Sequence, residues 1–192
     1  MAGLHAAAVT RGGDCILMPA TSGSGKSTLT AALLSRGFGY CTDDLALLTH
    51  EPVRVRSVPT CLGLKHGSWS VLDDVFPEIR HLPTHLRADG KQVRYLPPPS
   101  VGVPRTYQAR AIVFPVWSPG QQPAEIRRIS SAEGLSRLSA SGYDLRNRIN
   151  RQVVGCLIRW MSGLPCFELQ YDVPTDAAPI MSAVMNRRLL HS

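Results

Sequence analysis

The feature of the sequence that most constrains the fold is a run of small and polar residues between two apolar segments. This run, ATSGSGKST, spans residues 20–28, and the apolar segment CILMPA leads directly into it. The segment that follows, STLTAALLSRG, has apolar residues at helical spacing and ends at Gly37, a residue type that commonly terminates helices. A strand, a glycine-rich loop and a helix in this order form a unit whose backbone N–H groups can bind phosphate. The sequence therefore predicts an α/β fold built around such a unit.

The loop differs from the P-loop (Walker A) pattern G-x-x-x-x-G-K-[ST] at its first residue, Ala20. Alanine is acceptable there with a negative φ, whereas a positive φ would cost about 1 kcal/mol. A Ser/Gly-rich linker that contains lysine by chance is the alternative, but it leaves the flanking strand and helix unexplained. We expect Lys26 to reach the outer phosphates of ATP and the Ser27 hydroxyl to coordinate magnesium. The predicted nucleotide-binding residues are Ser22, Gly23, Ser24, Gly25, Lys26, Ser27 and Thr28.

Two adjacent carboxylates, Asp43 and Asp44, follow the apolar segment FGYCT, which predicts the next buried strand. The intervening helix should return this strand end to the side of the loop. Adjacent residues on an extended chain point in different directions. One carboxylate can therefore hold magnesium or its water while the other accepts a proton from a substrate hydroxyl. The alternative is a cap or turn before LALL.

The other apolar runs predict a strand-rich domain. HAAAV is expected to form a hairpin with CILMPA across the turn TRGGD. AEIRRI is expected to pair with ARAIVFPVW, the strongest later strand. Further strands are predicted at LALLT, VRVRSV and CFELQY. The tryptophans, Trp69, Trp117 and Trp160, are expected to pack in the core rather than to bind a ligand.

Helices are predicted mainly in the second half of the chain. Ser130 and Glu133 form a capping box that begins a helix extending through Leu138. Residues 144–162 are expected to form an amphipathic helix that begins at Asp144, and residues 174–190 a closing helix. The signals weaken over residues 59–105, where we expect a less regular excursion that faces the substrate. Residues 1–192 are thus predicted to form a single domain with a mixed β-sheet flanked by helices.

Composition limits the classes of partner. The chain has a formal net charge of +7. Its arginines lie in predicted helices and strands, with few aromatic neighbours and no nucleic-acid motif, so nucleic acid is not the expected partner. The positive field would suit an acidic protein or peptide. No apolar run approaches the roughly 18 residues of a membrane span, so no membrane association is expected. The five scattered cysteines are expected to be reduced thiols, which predicts a cytoplasmic location.

Several of these segments together resemble a known family. LHAAAV, ATSGSGKST and GYCTDDLALL, followed by LGLKHGS, AIVFP and CFELQYD, are similar to the HPr kinase-related proteins. These are the catalytic domain of HPr serine kinase/phosphorylase and its shorter relatives, which include kinases that phosphorylate ribosomally made peptides such as lasso-peptide precursors. The resemblance implies a P-loop kinase domain that transfers the γ-phosphoryl group of Mg-ATP to a serine hydroxyl.

The resemblance also implies roles for individual residues. Lys26 and Ser27 would bind the ATP phosphates and magnesium. Asp43 matches the aspartate that deprotonates the substrate serine, and Asp44 its neighbour in the metal and phosphate environment. His5 matches the histidine that contacts the catalytic aspartate; from the residues alone it would be an unremarkable surface side chain.

Some parts of the family pattern are absent. Only four residues precede His5, and the glycine-rich stretch EIRGLG has no counterpart, since PEIRHLP matches it only in part. The shorter relatives that modify peptides or proteins therefore fit better than the full HPr kinases. Lys65, in LKHGS, could meet phosphate or the acceptor, or could be a solvated lysine. A homo-oligomer is left open.

The function expected from the sequence is thus a Mg-ATP-dependent kinase acting on a small protein or peptide. One alternative is a small-metabolite kinase of the shikimate or gluconate type, which carries acidic residues at a similar distance after the lysine. Such kinases tend to show D-x-D and an arginine-bearing lid helix, whereas here the aspartates are adjacent and the second half is rich in strands. The other alternative is a non-catalytic nucleotide-binding partner in a biosynthetic complex.

Overall fold

The computed structural model describes residues 2–49, 51–98, 105–141, 143–144 and 151–186. The strands among these residues are β1 (Ala2–Arg11), β2 (Asp14–Pro19), β3 (Gly39–Thr42), β4 (Leu45–Leu48), β5 (Val55–Arg56), β6 (Leu62–Lys65), β7 (His85–Leu86), β8 (Gln92–Leu96), β9 (Thr106–Trp117), β10 (Glu125–Ile129), β11 (Tyr143–Asp144) and β12 (Cys166–Tyr171). The α-helices are α1 (Lys26–Ser35), α2 (Trp69–Leu72), α3 (Ser131–Ser141), α4 (Arg151–Ser162) and α5 (Ala177–Met185). Short 3-10 turns occupy His66–Ser68, Pro77–His81 and Pro174–Asp176.

Most strands belong to one mixed sheet with the order β10-β12-β9-β2-β1-β4-β5, in which β3 and β11 also pair with β1. The central strands β2, β9 and β12 are parallel, whereas β1 is antiparallel to β2, β3 and β4. Helices cover the sheet on both sides, since α1 and α5 contribute to one apolar core and α3 and α4 to another. The predicted mixed α/β fold, with a large sheet flanked by helices, is confirmed.

Helix α1 packs against two separate layers. Leu29 and Leu33 belong to the core beneath the main sheet, whereas Ala31, Ala32 and Leu34 pack against the segment that follows β5. The apolar residues of the predicted helix are thus divided between two buried sides. Its C-terminal end is marked by Gly37, whose φ of 83° lies in the left-handed region that glycine adopts without strain.

The segment 59–105 is more regular than expected. It forms a three-stranded antiparallel sheet with the order β6-β8-β7, together with α2 and the 3-10 turn Pro77–His81. Leu62, Leu64, Leu72, Ile79 and Leu96 bury their side chains between this small sheet and α1. Residues 99–104 lie outside the described part of the segment.

Two expectations about pairing and helix start are wrong. The strand of AEIRRI, β10, pairs with β12 and not with the strand of ARAIVFPVW. Asp144 lies in β11, which pairs with β1 through Gly3↔Asp144, so it does not begin a helix; α4 begins at Arg151. Local sequence cannot reveal this pairing, because the partner of Asp144 is at the other end of the chain.

The ends of the remaining helices are close to those expected. The Ser130 hydroxyl accepts a hydrogen bond from the Glu133 N–H at 3.1 Å, which is the N-cap half of the predicted capping box. The closing helix consists of the turn at Pro174–Asp176 followed by α5, and its predicted extension beyond residue 186 lies outside the described residues. No helix in the described ranges is long and apolar enough to cross a membrane.

Candidate active site

The loop between β2 and α1 requires glycine at two positions. Gly23 and Gly25 have φ values of 94° and 84°, which side-chain-bearing residues rarely adopt. A Cβ atom on Gly25 would also lie only 3.2 Å from the Tyr171 hydroxyl. Gly25 is the N-cap of α1, so the loop delivers the chain directly to a helix N-terminus. The N-terminal N–H groups of a helix can bind an anion at such a position.

Lys26, the first residue of α1, is folded inward. Its Nζ donates hydrogen bonds to His5 Nε2 at 2.9 Å and to the Ala20 carbonyl at 3.3 Å, and lies 3.9 Å from Asp44 Oδ1. Burial lowers the pKa of Lys26, against the opposing effect of the nearby carboxylates of Asp44 and Asp43. The ammonium is thus held between a carboxylate and the start of the loop.

Asp43 is buried, with 4% of its surface exposed. Its Oδ2 accepts a hydrogen bond from the Gly63 N–H at 3.4 Å, whereas Oδ1 has no partner among the described residues. Burial raises the pKa of Asp43 to about 6, although the neighbouring Ser27 hydroxyl and the Lys26 ammonium oppose this shift. Ser27 faces Asp43 without meeting the geometry of a full hydrogen bond. A carboxylate oxygen in this position is available to a cation.

Asp44 has the opposite environment, because 79% of its side chain is exposed. Its Oδ1 lies 2.8 Å from His5 Nε2, and His5 Nδ1 lies 3.0 Å from the Ser141 carbonyl. Since a carbonyl only accepts, Nδ1 carries a proton and donates to Ser141. The remaining nitrogen, Nε2, lies 2.9 Å from Lys26 Nζ and 2.8 Å from Asp44 Oδ1. It can accept a hydrogen bond from the Lys26 ammonium when it has no proton, or donate one to the Asp44 carboxylate when it has one, but not both at once. His5 thus joins the loop lysine to the exposed carboxylate.

The residues His5, Lys26, Asp43 and Asp44 line one cleft of about 540 Å³. Among the predicted site residues, those that line it are His5, Ser22, Gly23, Gly25, Lys26, Ser27, Thr28, Asp43 and Asp44. Ser24 does not line the cleft; its hydroxyl is buried without a partner among the described residues. Two loop side chains contact the small sheet and its turn, since Lys65 Nζ donates to the Ser22 hydroxyl at 3.3 Å and the hydroxyls of Thr28 and Ser68 lie 2.7 Å apart.

Sequence reasoning missed two groups of cleft residues. One group, Trp117, Tyr171 and Pro174, comes from the ends of β9 and β12, and the other, Val71, Arg87 and Tyr95, from the segment that contains the small sheet. Trp117 was expected in the core, yet it is 57% exposed. Its position at the end of an apolar strand, before Ser-Pro-Gly, was the available signal, because ligands bind at the carboxyl ends of parallel strands.

Comparison with known proteins adds little to this geometry. No family model and no curated protein matches the sequence. Among solved structures, the chain is similar to the Hpr(Ser) kinase/phosphatase from Coxiella burnetii, with 11% sequence identity and a TM-score of 0.40 over 98% of this chain and 96% of that chain. A likeness at this level establishes neither family nor function.

Proposed function

We propose that this protein is a Mg-ATP-dependent kinase that transfers the γ-phosphoryl group to a hydroxyl, that of serine, on a small protein or peptide. The observation that carries the proposal is the meeting of Lys26, His5 and Asp44 beside a glycine loop, with the buried Asp43 facing Ser27 in the same cleft. A phosphate-binding loop, a cation site and an exposed base are the parts that phosphoryl transfer requires.

The buried pair Ser27 and Asp43 fits magnesium. Both supply hard oxygen ligands, and Asp43 Oδ1 is an unpartnered buried oxygen that a cation would satisfy. No three His, Cys, Asp or Glu side chains of the described residues cluster into a metal site. This agrees with magnesium bound by one carboxylate, a hydroxyl and the phosphates of a nucleotide. When bound, the ion would neutralise charge on the transferred phosphoryl group.

Asp44 is the better placed base. Its exposed carboxylate can accept the proton of an acceptor hydroxyl as the hydroxyl oxygen bonds to the γ-phosphorus and the bond to the departing ADP oxygen breaks. His5 contacts Asp44 and not Asp43, and with a proton on Nε2 its anchored ring would donate to that carboxylate and orient it. The geometry therefore favours exchanging the roles that the resemblance implied, with Asp43 serving magnesium and Asp44 the acceptor.

Lys26 lies near both of the aspartates to which roles are proposed, Asp43 and Asp44. Its ammonium contacts the His5 ring and carries the positive charge that the outer phosphates need. Its contact with the Ala20 carbonyl involves only backbone atoms of that residue. An alanine in the first loop position is therefore compatible with the role of the lysine.

The acceptor would approach from the small-sheet side of the cleft. Lys65 and Arg87 give this wall positive charge, and Val71 and Tyr95 expose 50% and 44% of their surface there. A peptide with acidic and apolar residues near its serine would complement such a wall. This is the physical basis for proposing a polypeptide and not a small metabolite.

The test is incubation of the protein with Mg-ATP and a library of serine peptides whose flanking residues are acidic, neutral or basic, followed by mass spectrometry. We expect phosphoserine on acidic peptides, and none with Lys26→Ala. Calorimetric titration with Mg-ATP serves as an independent measurement. Absence of Mg-ATP binding would refute the site, and phosphate appearing only on small alcohols would replace the polypeptide acceptor by a metabolite.

A further inference from the structure

We propose that Trp117, at the end of β9, is the platform on which the purine base of the nucleotide stacks. This inference rests on the nucleotide site proposed above. Because β2, β9 and β12 are parallel neighbours, their carboxyl ends lie along one edge of the sheet. The P-loop follows β2, Trp117 ends β9 and Tyr171 ends β12. The sheet order places these two strand ends on one side of the P-loop and β1, which carries His5, on the other.

The indole of Trp117 is exposed and yet held in place. Trp117 is 57% exposed, whereas most of the β9 residues that precede it are buried. Its Nε1 donates a hydrogen bond to the Asp172 carbonyl at 3.2 Å, which fixes the ring. Its Cβ lies 3.8 Å from the position that a Cβ on Gly25 would occupy, so the ring begins directly beside the P-loop. An ordered aromatic face at this distance suits a base attached to loop-bound phosphates.

The neighbouring groups support a preformed site. Tyr171 is 1% exposed, and its hydroxyl has no hydrogen-bond partner in the described part of the chain, although it lines the cleft beside Gly25. A nucleotide oxygen there would relieve the cost of that unpartnered hydroxyl. The Asp172 carboxylate accepts a hydrogen bond from the Gly120 N–H at 2.9 Å and so ties the loops after β9 and β12 together. A ligand would therefore lose little free energy in ordering the platform.

The acceptor groups occupy the opposite side of the loop. His5 lies on β1, and Asp44 follows β3, which also pairs with β1. A nucleotide whose γ-phosphate points toward Asp44 must extend its base in the other direction, toward Trp117. One end of the cleft would thus hold the acceptor hydroxyl, and the other end would hold the purine.

The experiment compares two ligands that share the phosphate chain but not the base. Mg-ATP and Mg-tripolyphosphate are titrated calorimetrically into the parent protein, Trp117→Ala, Trp117→Phe and Val116→Ala. Val116 is the matched control, since it is exposed on the same strand but does not line the cleft. We expect Trp117→Ala to weaken ATP binding by about 10- to 100-fold and to leave tripolyphosphate binding unchanged. Trp117→Phe should stay close to the parent, and Val116→Ala should change neither ligand.

A second measurement does not depend on the alanine variant folding. In a Trp69→Phe, Trp160→Phe background, ATP should quench the fluorescence of Trp117 and tripolyphosphate should not. Equal losses of both ligands in Trp117→Ala, or no loss of either, would overturn the platform. Parent protein that binds tripolyphosphate as tightly as ATP would overturn it too, while leaving the phosphate site intact. Failure of the parent to bind either ligand would overturn the proposed function as well.

Discussion

Asp43 and Asp44 are adjacent in sequence but differ in almost every physical respect. Both residues lie in the bend between β3 and β4, where the Asp43 carboxylate is buried near Ser27 and the Asp44 carboxylate is exposed and contacts His5. The sequence predicted that the two side chains would diverge. It could not predict which would be buried, because that depends on Gly63, which donates a hydrogen bond to Asp43 from another part of the chain.

The different roles proposed for the two aspartates, magnesium binding and proton acceptance, can be tested by substitution with asparagine. Asparagine keeps the size of the side chain but neither takes a proton nor carries a negative charge. Asp44→Asn should retain magnesium-dependent ATP binding and lose about 100-fold or more in the single-turnover rate with an acceptor peptide. Asp43→Asn should weaken ATP binding and be partly rescued by more magnesium. Calorimetry with and without magnesium, combined with single-turnover kinetics, measures both. The reverse pattern would restore the roles implied by the resemblance.

The burial of Asp43 should make stability depend on pH. Its pKa in the folded protein, about 6, lies above its ordinary value of 3.8, so the folded state binds the proton more tightly than the unfolded state. The resulting stabilisation is complete below about pH 4 and is lost as the pH rises through about 6. Asp43→Asn should therefore raise the free energy of unfolding at pH 7 by on the order of 3 kcal/mol and leave it unchanged near pH 4.

Urea denaturation at a series of pH values measures this effect, with magnesium omitted. A loss of stability at pH 7 in Asp43→Asn would contradict the prediction. It would mean that the hydrogen bond from Gly63 outweighs the cost of burying the charge.

At the scale of elements, the unit of strand, glycine-rich loop and helix was the most predictable part of the molecule. Apolar spacing and glycine placement are local properties, and they sufficed to locate β2, the loop and α1. Elements defined by distant partners were not predictable in this way. β11 exists because Tyr143–Asp144 pairs with Gly3 and Leu4, and Trp117 lies beside the glycine-rich loop because β9 ends between β2 and β12.

The roles of two small residues of the glycine-rich loop, Gly25 and Ala20, can be compared by substitution. Gly25→Ala should abolish most ATP binding, since it forces alanine into a left-handed conformation costing about 1–2 kcal/mol and brings its Cβ against the Tyr171 hydroxyl. Ala20→Gly should bind ATP at least as well as the parent, because it only relaxes the backbone. Calorimetry and circular dichroism compare the two variants. Normal binding by Gly25→Ala would show that the loop changes conformation when nucleotide arrives.

At the scale of the whole molecule, α1 joins the main sheet to the small sheet. One side of the helix buries Leu29 and Leu33 against the main core, and the other packs Leu34 against Leu64 and its neighbours. The same helix begins at the glycine-rich loop, so both layers hold the candidate site in position. The segment 59–105 was expected to be an irregular excursion because its short strands and 3-10 turns have weak local signals. Its core is completed only by α1, which lies outside it in sequence.

This arrangement predicts that the two layers unfold together. Leu64→Ala removes a fully buried side chain between the small sheet and α1 and should lower the free energy of unfolding by about 2–5 kcal/mol. Leu86→Ala, which truncates a side chain 74% exposed in the same sheet, should change it by less than about 0.5 kcal/mol. Trp69 reports on the small sheet, because its Nε1 donates to the Leu64 carbonyl at 2.9 Å. In a Trp117→Phe, Trp160→Phe background, the denaturation midpoints from Trp69 fluorescence and far-ultraviolet circular dichroism should coincide, and Leu64→Ala should shift both equally. A shift of the fluorescence midpoint alone would show that the small sheet opens independently and that the wall expected to hold the acceptor is a separate folding unit.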